Sequence, residues 1–216
     1  MSLAGTRIVV SAGPTFEDID PARFIGNRSS GKMGFALATA AAERGAEVVL
    51  VAGPVHLPTP EGVSRIDVRS AADMHQAVMA ALPASIYIGA AAVADFTPRT
   101  FSDTKLKKTP GSDTLTLELV RTRDILAGVA AHPQRPRRVI GFAAETHDIE
   151  RYARGKLDAK RVDMICANRV GVAGSGFEAE DNALQVFWAG GEAMLGPAPK
   201  TAIAGMLLDL IDKELP

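Results

Sequence analysis

A single cysteine, Cys166, occurs in 216 residues. No internal disulfide can form, so folding does not need an oxidising compartment. Cys166 lies in the apolar run Met164-Ile165-Cys166-Ala167, where a free thiol reads as a small buried hydrophobe rather than a nucleophile. Charge of one sign is also missing. Twenty-four Lys and Arg oppose 25 Asp and Glu, for a net charge of -1. That balance argues against a general nucleic-acid binder but leaves room for a local basic patch. No apolar run approaches the roughly 20 residues of a membrane span, and the N-terminus lacks the order of a signal peptide. These absences predict a cytoplasmic protein with neither nucleic acid nor membrane as partner. Internal repeats and low-complexity tracts are absent as well.

What is present is alternation. Arg7 to Gly13 is a short β-branched run. A Pro- and Asp-rich loop follows to about Ser30, and Gly31 to Arg44 is Ala-rich with helical spacing. Glu47 to Ala52, Arg65 to Arg69 and Ser85 to Ala92 read as strands, with a helix over Ala71 to Leu82. Continuous apolar strands alternating with helices imply a buried parallel sheet. The fold class expected is α/β, a Rossmann-like doubly wound, mostly parallel sheet. Further on, Thr114 to Val120 alternates as a half-exposed strand does. Arg138 to Ala143 and Met164 to Ala167 read as buried strands around a charged helix, Ile149 to Lys160. Gly190-Gly191 marks a hairpin, and Thr201 to Leu215 closes the chain as a helix. One domain over residues 1–216 is expected, with 1–6 as a leading linker and 97–112 as a loop of its own. That loop carries Lys105-Leu106-Lys107-Lys108. It reads either as a solvated basic stretch or as a mobile flap over an anionic ligand.

The densest signal is Arg23-Phe24-Ile25-Gly26-Asn27-Arg28-Ser29-Ser30-Gly31-Lys32-Met33-Gly34, directly before a predicted helix. A helix N-terminus offers unpaired N–H groups and partial positive charge, and Ser and Gly let an anion approach them, so phosphate binding is expected. The plainer reading is Ser30 as an ordinary N-cap. Two familiar motifs fail. In Gly26 to Met33 the residue after the lysine is Met, where a Walker A loop needs a hydroxyl for Mg²⁺. Strand one ends Ser11-Ala12-Gly13-Pro14-Thr15 without the glycine fingerprint of a dinucleotide fold. Two more constellations fall at predicted strand ends, where ligands of open α/β sheets bind. In Gly89 to Phe96, small residues precede Asp95, which either accepts hydrogen bonds from a ligand or simply starts a turn. In Gly141 to Thr146, Phe142 is core or ligand contact, and Glu145-Thr146 is placed to cap the next helix. Asn168 is a polar residue at the same edge.

Taken in order, Ser11 to Thr15, Arg23 to Gly34, Gly53-Pro54-Val55, Ala91 to Phe96, Lys105 to Lys108, Gly141 to Thr146 and Ile165 to Asn168 resemble the phosphopantothenoylcysteine synthetases. The match is closest to the bacterial type, often fused behind a flavin-dependent decarboxylase, and spans roughly residues 7 to 210. The resemblance implies a homodimeric ligase of coenzyme A biosynthesis. It would join 4'-phosphopantothenate to cysteine through an acyl-cytidylate, using CTP and Mg²⁺ (or Mn²⁺). By matching position, Gly13, Ser29, Gly31, Gly34, Phe142 and Asn168 would contact the nucleotide. Ala91, Ala92 and Asp95 would contact phosphopantothenate. Asn27 would act in turnover of the acyl-nucleotide and Lys105 in its formation, and Arg23 would reach the neighbouring subunit's substrate. No metal ligands are assigned. One departure is Thr122-Arg123-Asp124-Ile125, where the family commonly has Asn-Pro-Asp-Ile. The rival reading is a non-catalytic nucleotide-binding dimer of the same fold.

Overall fold

A computed structural model describes residues 2–108, 111, 113–169 and 181–215. The first strand, β1 (Arg7–Ala12), is followed by a small hairpin, β2 (Phe16–Asp20) and β3 (Arg23–Gly26), and then by α1 (Lys32–Glu43). Next come β4 (Glu47–Ala52), β5 (Val63–Asp67), α2 (Ala71–Ala80) and β6 (Ile86–Gly89). A short ribbon of β7 (Phe96–Pro98) and β8 (Leu119–Arg121) precedes α3 (Ile125–Ala130), β9 (Arg138–Glu145), α4 (Ile149–Lys160) and β10 (Met164–Arg169). The chain closes with β11 (Asp181–Trp188), β12 (Gly191–Pro199) and α5 (Lys200–Glu214).

Eight strands form one sheet in the order β12-β11-β10-β9-β6-β1-β4-β5. From β10 to β5 every pairing is parallel, and β11 and β12 add antiparallel. This is the expected α/β architecture with its closing hairpin and helix. Alternate side chains of β1 divide the core. Ile8, Val10 and Ala12 pack with α1 and α5, through Phe35, Leu37, Ile203 and Leu207. Val9 packs on the other face with α2, α3 and α4, through Met74, Val129 and Leu157. The chain leaves β1 for β4 on one side and β6 for β9 on the other. The crevice between β1 and β6 is therefore a topological switch point, where such sheets bind ligands.

Several local expectations change. Pro14 to Ser30 is no plain loop, because Phe16–Asp20 and Arg23–Gly26 pair antiparallel. Arg69 binds Asp18 at 2.6 Å, and Glu17 accepts from the Ala71 amide at 2.8 Å, fastening this hairpin to the start of α2. Thr114 to Glu118 forms no strand; only Leu119–Arg121 pairs, with Phe96–Pro98. Alternation alone supplies no partner, and β9 already has β6 and β10 on its two sides. The helix α3, absent from the sequence reading, is only 6 residues long and is capped by Asp124, which accepts from the Ala127 amide. Glu145 and Thr146 do not cap α4; its N-cap is Asp148. Leu3, within the leading segment, is buried, and its amide donates to Arg44 O at 2.7 Å. Residues 109, 110 and 112 of the 97–112 loop lie outside the described residues.

Candidate functional site

A cleft of about 720 Å³ opens at the C-terminal ends of β1, β6, β9 and β10. Its lining includes Asn27, Ser29, Gly31, Gly34, Ala91, Ala92, Asp95, Phe142 and Asn168. Nine of the twelve residues singled out from the sequence thus meet in one cleft, although they come from four separate stretches of chain.

The phosphate-type turn is built on backbone. α1 is capped by Gly31 in the left-handed region (φ 77°) with no side-chain hydrogen bond. The expected Ser30 cap is therefore not made, and a different hydroxyl helps shape the turn: Ser29 Oγ accepts from the Gly31 amide at 3.3 Å. A helix start left open in this way keeps amides directed at the cleft. Gly34 lies so close to β1 that a Cβ there would overlap the Cβ of Ala12. Gly13 does not line the cleft. It packs behind the turn, its Cα 3.5 Å from where a Cβ on Gly31 would be, so it acts on the turn from below.

Asn27 joins two of the constellations, since its Nδ2 donates to Ala92 O at 2.9 Å. Ala92 bridges to Pro14, and the Ala94 amide donates to Thr15 Oγ1 at 2.9 Å, so this strand end is held from beneath. Thr122 donates to Ala94 O at 2.6 Å, and its amide donates to Asp95 O. The Thr-Arg-Asp-Ile stretch that departs from the family pattern thus still supports the Asp95 loop.

Arg23 and Lys105 are brought near one another but not into the cleft lining. Arg23 donates through Nε and Nη2 to Asp20, and through Nη2 to Leu106 O at 2.9 Å. Asp20 also accepts from the amides of Ala22, Arg23 and Leu106. Arg23 above all holds this carboxyl well below the usual carboxylate range; burial opposes the shift, and the Ala22 and Leu106 amides reinforce it. The basic loop is therefore docked on the β2–β3 hairpin, and Lys105 is exposed beside it.

The sequence reading missed further cleft residues: Ser11, Tyr87, Lys156, Lys160, Asn182 and Lys200. Lys156 binds Glu145 at 2.7 Å and Lys160 binds Asp124 at 2.9 Å. Their four-residue spacing on a predicted helix was a usable signal, because i and i+4 share a face. Nothing about Lys200, after Pro-Ala-Pro, marks it as a cleft residue in the sequence. Ser11 and Tyr87 share a hydrogen bond of 3.0 Å in the floor, where burial pushes the phenol up to about 12.

Among the described residues no group of three or more His, Cys, Asp or Glu could hold a metal ion by itself. The carboxylates lining the cleft are Asp95 and Asp124. Such a donor set suits Mg²⁺ carried in on phosphates, which takes one or two carboxylates and keeps its other ligands.

Residues 3–215 match the family model described as DNA/pantothenate metabolism flavoprotein C-terminal domain. The chain belongs to this family. Within it, the chain is 53% identical over 214 residues to the coenzyme A biosynthesis bifunctional protein CoaBC of Vibrio cholerae, covering 99% of this chain and 54% of that protein. It is 50% identical over 207 residues to the CoaBC of Escherichia coli K12, covering 94% and 51%. The chain therefore spans about half the length of these relatives. A crystal structure of the C-terminal domain of a CoaBC protein superposes with a TM-score of 0.82 at 37% identity, over 98% of this chain and 96% of that one. A Cab2 mutant bound to phosphopantothenate-cysteine shares the fold at a TM-score of 0.78, with 14% identity. The resemblance drawn from the motifs thus holds at the level of the family.

Proposed function

We propose that the chain is a phosphopantothenate–cysteine ligase that activates 4'-phosphopantothenate with CTP. The observation that carries this reading is the convergence in one cleft of the open α1 start with the Asn27–Ala92 pair. The first is suited to phosphates and the second to an acyl group beside them. In the first half-reaction the substrate carboxylate attacks the α-phosphorus of CTP, giving an acyl-cytidylate and releasing pyrophosphate. In the second the cysteine amine attacks the acyl carbon. The C–O bond to phosphate breaks, CMP leaves, and the amine loses a proton as the amide forms. A bare carboxylate does not react with an amine, so the cytidylyl group supplies the leaving group.

Each role follows from chemistry available in the cleft. The amides of the Gly31 turn take phosphate oxygens. Lys156 and Lys160, now on Glu145 and Asp124, are placed to exchange those carboxylates for phosphates as charge builds at phosphorus. Asn27 adds a neutral donor beside Ala92. Asp95 takes an amide or hydroxyl of phosphopantothenate. Mg²⁺ carried in on the phosphates would have Asp124, or Asp95 where substrate leaves it free, as a carboxylate to hold it, and would supply neutralisation of the phosphate charge. Lys105 and Arg23 lie outside the lining, which fits a loop that moves in with substrate and an arginine that serves a second subunit. Exposed Phe24, Phe96 and Phe101 around this hairpin support a homodimer formed there. A decarboxylase segment in the whole protein, as in the bifunctional relatives, belongs to the same reading.

The test is release of pyrophosphate and nucleoside monophosphate from 4'-phosphopantothenate, Mg²⁺ and CTP or ATP, with and without cysteine. Release that requires phosphopantothenate, with sustained CMP only when cysteine is present, is the expected result. No release with either nucleotide from folded dimer would leave the non-catalytic nucleotide-binding relative instead.

A further inference from the structure

The whole chain carries a net charge of -1, yet six Lys or Arg line the cleft against two Asp. Positive charge gathered in a cleft raises the local concentration of anionic ligands. Four of the six are Arg121 on β8, Arg123 on the link to α3, and Lys156 and Lys160 on α4. The two lysines are already held, by Glu145 and Asp124. The two arginines are not. Among the described residues neither Arg121 nor Arg123 makes an ion pair or a side-chain hydrogen bond. The carboxylates next to them in the chain are taken. Glu118 binds Arg99 at 2.8 Å, and Asp124 accepts from the Ala127 amide and from Lys160. Arg123 also acts on His75 of α2. Burial first and the Arg123 charge second hold that imidazole below its ordinary value, so it supplies no counter-ion.

The backbone that carries these arginines is fixed on both sides. Arg121 pairs with Phe96 across the β7–β8 ribbon. Thr122, between the two, donates to Ala94 O at 2.6 Å, and its amide donates to Asp95 O. Asp124, the next residue, caps α3. Only side-chain rotamers remain to be ordered when an anion arrives, which keeps the entropic cost of binding low. Arg123 is also where the Thr-Arg-Asp-Ile stretch sets a cation in place of the proline of the common family pattern.

We propose that Arg121 and Arg123 form an anion subsite at the edge of the cleft that binds a phosphate group. A guanidinium presents a planar fork that matches phosphate oxygens two at a time. The ligase reading enters only in the identity of the ligand, because both of its anionic substrates offer this chemistry. Thr122 ties the pair to the Ala94–Asp95 segment proposed for phosphopantothenate. Asp124 ties it to Lys160, proposed for the nucleotide phosphates.

The experiment is calorimetric titration with phosphopantothenate, pantothenate, CTP, cytidine and inorganic pyrophosphate, using competition for the weak ligands. The proteins are the unmutated dimer, Arg121→Gln, Arg123→Gln, the double Gln variant and Arg123→Lys. Both positions are exposed, so the urea midpoints should not move. Each single Gln variant should lose about three- to tenfold in affinity for a phosphorylated ligand. Its affinity for the unphosphorylated counterpart should stay within about twofold. Arg123→Lys keeps the charge without the fork and should recover part of the loss. A loss for phosphopantothenate but not pantothenate identifies the substrate phosphate, and a loss for CTP but not cytidine identifies the nucleotide. The subsite is overturned if the double Gln variant binds phosphopantothenate, CTP and pyrophosphate as the unmutated protein does, or if the unmutated protein binds none of them. Equal losses for phosphorylated and unphosphorylated ligands overturn it as well, since they report a merely structural role. Absence of pyrophosphate release from the unmutated protein with phosphopantothenate and CTP or ATP would count against the ligase reading, and the pyrophosphate titrations would still decide the subsite.

Discussion

At the scale of single residues the cleft depends on two glycines and an amide. Gly34→Ala would drive a methyl into Ala12 on a strand that is buried on both faces. Overpacking of this kind costs about 1–3 kcal/mol, and here the strain falls on the first turn of α1. The expected outcome is a lower urea midpoint together with weaker nucleotide binding, both read on the purified variant. Gly31→Ala asks an L-residue to adopt φ 77°, at about 1–2 kcal/mol, and should show the same pair of effects more mildly. Asn27→Asp is different, because it changes no volume. The carboxylate cannot donate to Ala92 O, where Asn27 now does so at 2.9 Å. The acyl-nucleotide should still form but persist, so a single-turnover burst of pyrophosphate is retained while steady CMP release falls by about 10²-fold. Normal steady turnover in Asn27→Asp would remove Asn27 from the mechanism.

At the scale of elements the β2–β3 hairpin is the device that organises the basic loop, and Asp20 is its centre. Asp20→Asn should release residues 102–108 from the hairpin, since a neutral amide cannot accept from Arg23 and three main-chain amides together. Trypsin cleavage after Lys105, Lys107 or Lys108 should speed up about tenfold or more at neutral pH. The pH dependence has a definite sign. The folded-state pKa of Asp20 is lowered, so its stabilising contribution is present above the ordinary carboxylate value near about 3.9. It is lost only as pH falls through the lowered value. Protection of the Leu106 amide against exchange should accordingly hold from pH 7 down to about 4, and loss within that range would show that Asp20 is not the clamp. This hairpin also marks the limit of what the sequence could tell. β1, β4 and α1 were legible because periodicity and apolar runs report burial, and these elements are largely buried; α4, a charged helix that buries only Ala153 and Leu157, was legible from those two positions one turn apart. Phe16–Asp20 and Arg23–Gly26 are held by ion pairs and a stack between Phe16 and Phe24 at 3.9 Å, contacts with no periodic signature. Thr114 to Glu118 failed in the opposite way, having the period of a strand without becoming one, although the Glu118 carbonyl accepts from the Arg99 amide at 2.9 Å. In the cleft, motifs located the backbone turns and strand ends, whereas Lys200 and Asn182 became visible only once β11 and α5 were packed beside β10.

At the scale of the whole molecule the decisive question is whose cleft Arg23 serves. Within its own chain it binds Asp20 and Leu106 O and does not line the cleft. Two arrangements are compatible with that geometry, and they differ in what mixed dimers do. If Arg23 acts in its own chain by holding the loop that carries Lys105, its loss disables that chain's site whatever the partner is. If it reaches across a dimer, a site needs Asn27 from one subunit and Arg23 from the other. Arg23→Ala and Asn27→Asp homodimers are then both impaired, but a mixed dimer contains one cleft with Asn27 from the first chain and Arg23 from the second. Random mixing makes half the dimers mixed, each with one intact cleft of two, so activity should return to about a quarter of the unmutated level. The measurement is pyrophosphate-coupled turnover after co-expression, or after reversible dissociation and remixing, with size-exclusion chromatography confirming dimers. Recovery to about that level places Arg23 in the neighbour's site and makes the exposed Phe24–Phe96–Phe101 surface the natural interface. Activity no higher than the average of the two parents assigns Arg23 to the loop of its own chain, with the hairpin as an internal clamp.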